Sequence, residues 1–68
     1  MIDLKKIREK LGLNQSQFAR LLGVTSVTIW QMESGIKKVS FLMLKRIAKK
    51  TSISFSVKES GIEVIYND

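Results

Sequence analysis

A mostly α-helical fold closed by a C-terminal β-hairpin is the class that this 68-residue chain predicts, on three observations. Apolar residues recur at helical spacing as far as about residue 50. From Ile53 they alternate with polar ones. Gly12, Gly23 and Gly35 stand where the first three helical stretches should stop. The expectation is a single domain over 1–68, with a helical body over 1–50 and a hairpin over 52–67.

The helix starts are legible one by one. Asp3, Asn14, Thr25 and Ser40 are good N-cap residues. Each lies between an apolar residue just before it and another four positions after it: Ile2 with Ile7, Leu13 with Phe18, Val24 with Ile29, and Val39 with Leu44. Gln17, three residues after Asn14, completes a variant of the capping box. These signals predict four helices at about 3–11, 15–22, 26–33 and 41–50. In the fourth, Leu42, Leu44, Ile47 and Ala48 are expected to face inward and Lys45, Arg46, Lys49 and Lys50 outward.

After Thr51 the period becomes two. Ile53, Phe55 and Val57 alternate with Ser54, Ser56 and Lys58, and Ile62, Val64 and Tyr66 resume the pattern beyond Glu59-Ser60-Gly61. Gly61 falls where a short hairpin loop wants φ > 0. A lone hairpin is barely stable in water, so it must pack on the helices, pair with another chain, or both. Ile65, apolar on the otherwise polar face, favours a homodimer formed through Ile53, Phe55, Val57, Ile62, Val64, Ile65 and Tyr66.

A chain of this size buries only about 60% of its unfolded surface. It has no cysteine and no histidine, so no disulfide and no zinc site of the usual ligands is expected, nor any cofactor. No apolar run approaches the roughly 18 residues of a membrane span, and a cytoplasmic location is expected. Charge is unevenly placed. Residues 1–50 carry eleven Lys/Arg against three Asp/Glu, and residues 51–68 carry one against three. A basic helical body fits a polyanion partner, although charge alone fits a solvated basic surface equally well.

Residues 15 to 34 carry the most specific pattern. Two short amphipathic stretches meet at Gly23, with Ala19 four positions before it. Helices crossing steeply over a short turn need a methyl-sized side chain where they touch and a residue that accepts φ > 0 at the corner. Phe18, Leu22, Val24, Ile29 and Met32 supply the apolar face, and Ser26, Val27, Trp30 and Gln31 point away from it. This is the layout of a helix-turn-helix.

With Leu11-Gly12-Leu13-Asn14-Gln15-Ser16-Gln17-Phe18-Ala19 and Ile29 through Gly35, the first 50 or so residues resemble the lambdoid-phage repressor and Cro group, also called the Xre family. The resemblance implies a bacterial or phage-encoded reader of double-stranded DNA. Ser26, Val27, Trp30 and Gln31 would then face base edges in the major groove. Asn14, Gln15, Thr25, Thr28, Ser34, Lys37 and Lys38 would touch the sugar-phosphate backbone. It also implies a structural ion pair between Arg8 and Glu33.

Trp30 departs from the family, where a polar or basic residue is usual; it either lies along sugars and a thymine methyl or folds over the loop near Ile36. The loop departs too, with Ile36 where a basic residue is common. The hairpin resembles the strands of Cro-like and HipB-like members, which help to join the dimer.

The functional expectation is a homodimeric repressor of a palindromic operator. The alternative is an antitoxin that restrains a toxin protein and represses its own operon, with the acidic hairpin as the partner surface. An enzyme is not supported: catalysis would rest on six carboxylates, with Glu33 committed to structure and no obvious pairing among the others. RNA binding is disfavoured because no strand carries an aromatic stacking pair on a basic surface.

Overall fold

The computed structural model describes residues 2–67. Its elements are α1 (Leu4–Lys10), α2 (Gln15–Leu22), α3 (Ser26–Glu33), α4 (Phe41–Lys50), β1 (Ile53–Lys58) and β2 (Gly61–Tyr66), so the predicted class is present in the predicted order. All four expected caps form. Asp3, Asn14, Thr25 and Ser40 each accept, through the side chain, the backbone N–H three residues on. Gly23 ends α2 at φ +72°, the left-handed value that lets the chain turn directly into α3.

The core is built from one stripe per helix. Leu4 and Ile7 of α1, Phe18, Ala19 and Leu22 of α2, Ile29 and Met32 of α3, and Met43, Leu44 and Ile47 of α4 are buried, and Ile53 of β1 closes the base. Removing a side chain such as Phe18, which has no exposed surface, costs about 3–5 kcal/mol when cut to alanine.

Three inward or outward assignments on α4 are corrected. Leu42 and Ala48 are exposed, and Met43 is inside. The stripe set by Leu44 and Ile47 continues back to Met43, four residues before Ile47, which leaves Leu42 beyond its edge. Arg46 is half-buried rather than outward, donating from Nη1 to the Leu22 carbonyl (3.1 Å) at the end of α2.

Thr51 makes the junction between helix and sheet. Its hydroxyl donates to the Ile47 carbonyl (2.7 Å) and accepts the Ile53 N–H (3.1 Å). The strands pair antiparallel, with Ile53 opposite Tyr66, Phe55 opposite Val64 and Val57 opposite Ile62. Glu59 and Ser60 form the turn, and Gly61 takes the positive φ of +129°. The apolar face is covered by the helices progressively less from its inner end outward: Ile53 is 3% exposed, Phe55 and Val64 are half-buried against the core, and Val57 at the tip is 73% exposed. Lys10 of α1 stands over the Tyr66 ring at 5.7 Å and ties the inner end of β2 to the body.

Candidate nucleic-acid interface

The turn at Gly23 sets α3 so that one side belongs to the core and the other to solvent. Ile29 and Met32 point inward. At about 100° per residue, Ser26, Val27, Trp30 and Gln31 fall within an arc of about 140° on the opposite side. The structure leaves Ser26, Val27 and Trp30 exposed and Gln31 half-buried. Val27 is 60% and Trp30 49% exposed, although both are apolar enough to be drawn into a core. They leave α3 without the apolar and polar division that marks α2 and α4.

The flanks of this face carry polar groups. Thr25 caps α3 by accepting the Thr28 N–H (3.2 Å), and the two threonine hydroxyls lie 3.0 Å apart. One hydroxyl proton serves that contact, so the pair retains a second for an external acceptor. Asn14 is committed through Oδ1 to the Gln17 N–H (2.8 Å), and Gln17 Oε1 accepts the Asn14 N–H (2.9 Å). The Asn14 amide NH2 lies outside this capping box.

Gln15 is held from behind, its Nε2 donating to Glu33 Oε1 at 3.1 Å. An amide nitrogen has two N–H groups, so one remains for a ligand. Beyond α3, the Ser34 N–H donates to the Trp30 carbonyl (2.9 Å) and the Lys37 N–H to the Gln31 carbonyl (3.1 Å). The second bond folds the loop back against the helix end, with Lys37 and Lys38 exposed.

Arg8 and Glu33 form the expected ion pair. Arg8 Nε donates to Glu33 Oε2 (2.6 Å), Nη2 to Oε1 (3.1 Å), and Nη1 to the Leu13 carbonyl (3.0 Å). The Glu33 side chain is only 5% exposed. Burial pushes its carboxyl up, but hydrogen bonds from Arg8 and Gln15 and the charges of Arg8 and Lys5 outweigh that and hold it below the ordinary carboxylate range. The Arg8 guanidinium is raised, chiefly by its hydrogen bond to Glu33.

Sequence reasoning found both ends of this pair but not Gln15 as its third member. The contact joins residues 18 apart, beyond any local pattern. The network ties the end of α3 to α1 and to the start of α2.

The hairpin residues expected at a dimer interface divide. Ile53 is part of the chain's own core, and Phe55, Val64 and Tyr66 are half-buried. Val57, Ile62 and Ile65 are exposed, with Ile65 on the opposite face from the other two. Val57, Ile62 and Phe55 line an apolar groove with Phe41, Leu44 and Ala48 of α4. Phe41, 65% exposed, was missed; its position in the first turn of α4, outside the inward stripe, was the available signal.

Among the described residues no helix is long and apolar enough to cross a membrane. No curated protein and no solved structure gives a significant match. The helix-turn-helix family model matches residues 4–57, all four helices and most of β1. With that match over an α2–turn–α3 unit whose outer face is free of structural duties, the chain belongs to the Xre-like helix-turn-helix family of DNA-binding regulatory domains.

Proposed function

We propose that the chain is a homodimeric, sequence-specific repressor that places one α3 in the major groove of each half of a palindromic operator. The outer face of α3 carries this reading: Val27 and Trp30 stand exposed beside Ser26 and Gln31, on a helix tied from behind to α1 and α2 through Glu33. The helix is eight residues long, about 12 Å, and the major groove is about 12 Å wide. Gln15, Thr25, Thr28, Ser34, Lys37 and Lys38, with Asn14, position the protein on phosphates, and Ser26, Val27, Trp30 and Gln31 meet the bases.

A second copy is the occupant we assign to the groove between α4 and the hairpin. Each chain has one α2–turn–α3 unit and successive major-groove faces are about 34–36 Å apart, so one copy serves one half-site. The two-stranded sheet also has open edges, and Phe41, Val57 and Ile62 lie exposed along one side of it.

Selection of bound sites from a randomised duplex library at near-physiological salt tests the reading. The expected product is a palindrome with half-site centres about 10–10.5 bp apart, or a multiple of that. Recovery of no motif, together with stable co-purification of a second protein, would transfer the groove to the antitoxin reading.

A further inference from the structure

The outer face of α3 carries no charge. The helix contains one ionisable side chain, Glu33, and it is turned inward to Arg8 and Gln15. What remains outward is Ser26, Val27, Trp30 and Gln31, two apolar side chains beside two uncharged polar ones. Neither Val27 nor Trp30 belongs to the core, so the fold itself has no use for their apolar surface.

Base edges in the major groove differ in what they ask of a protein. Guanine offers two acceptors, usually met by Arg or Lys; cytosine offers an amino donor, met by a carboxylate; adenine offers an acceptor and a donor, met by an amide. Thymine alone adds a methyl group. This face holds no cation for guanine and no carboxylate for cytosine, but it holds an amide and two apolar groups. Val27 and Trp30, three residues apart, are neighbours on the helix surface and about 4.5 Å apart along its axis, comparable to the 3.4 Å step between bases on a strand.

Resting on the DNA-reading assignment of α3, we propose that the half-site it reads is rich in A·T pairs. Val27 and Trp30 pack on the 5-methyl groups of adjacent thymines, and Gln31 pairs with an adenine. Cytosine at a thymine position has no 5-methyl group and so forfeits the apolar contact, which is the source of discrimination.

The test uses the full chain and the duplex recovered by site selection, with each half-site thymine replaced in turn by uracil. Uracil keeps the base pairing and the phosphates and removes only the methyl group. Binding is expected to weaken roughly fourfold at one or two thymines per half-site, the equivalent of one buried carbon each. In Val27→Ala and Trp30→Ala the thymine and uracil duplexes should bind equally well at the corresponding position; both side chains are exposed, so the variants should fold. Equal binding of the two duplexes by the unmodified chain, or a G·C-rich selected half-site, overturns the proposal and leaves DNA reading intact. Failure to select any duplex overturns both.

Discussion

Glu33 accepts hydrogen bonds from Arg8 and from Gln15, so one carboxylate joins the end of α3 to α1 and to the first turn of α2. Arg8→Ala would strand that carboxylate, and the expected loss is about 3–5 kcal/mol in urea unfolding at neutral pH. For a domain of this size, whose total stability is about 3–10 kcal/mol, that is most of the margin. The carboxyl is held below its unfolded value of about 4.3, so its contribution is fully present above that pH and disappears as pH falls through the lower folded value. Stability should therefore fall more steeply below about pH 4.3 in the natural chain than in Glu33→Gln; parallel acid titrations of the two would mean that Glu33 carries none of the acid dependence. At the outer face, Gln31→Ala should weaken the preferred site by about 1–3 kcal/mol and relax one base position. Equal weakening on every sequence would exclude a base contact. The Arg8–Glu33 pair, 25 residues apart, was legible only through the family resemblance, whereas the Gln15 contact and the fold-back of Arg46, which join residues 18 and 24 apart, had no such guide and depend on how the helices pack.

Helix boundaries are the part of this fold written most locally. A cap joins residues three apart, so Asn14 with Gln17, Thr25 with Thr28 and Ser40 with Met43 mark α2, α3 and α4 in the chain itself. Gly23 completes the α2 to α3 turn. Nothing lies within 4 Å of the position a β-carbon would take there, so Gly23→Ala should cost only the backbone strain of a left-handed alanine, about 1–2 kcal/mol, read as a lowered melting temperature. The loop after α3 is an element of a different kind, held by the Lys37 to Gln31 backbone bond and carrying two exposed lysines. Replacing both Lys37 and Lys38 with alanine should reduce the slope of log K against log salt by about two for each half-site bound, and an unchanged slope would take them off the phosphates. The hairpin was less legible. Period two tells which side chains share a face, and the register agrees, but it does not tell how far the helical body reaches along that face. Ile53 is covered and Val57 is not because β1 leaves the body as it extends from Thr51.

Over the whole molecule, the two ends of the chain differ in charge, and the division matches the proposed roles. The helical part, 1–50, is strongly basic, and the segment after it is acidic, so a polyanion is drawn to the helices and the hairpin is left for protein contact. Val57→Asp, at an exposed position, should leave the monomer folded and weaken self-association in sedimentation equilibrium, with a parallel loss of affinity for a two-half-site duplex but not for one half-site. DNA is met, on the proposed function, by the outer face of α3. That contact is tested most directly by recording the backbone amide and Trp30 indole NMR signals as the selected duplex is added. Shifts are expected to concentrate at Asn14–Gln15, along Thr25–Gln31 and in the loop through Lys38, with the hairpin tip at Val57–Ile62 unmoved by DNA. Shifts centred on α4 and the hairpin, with Trp30 unchanged, would contradict it.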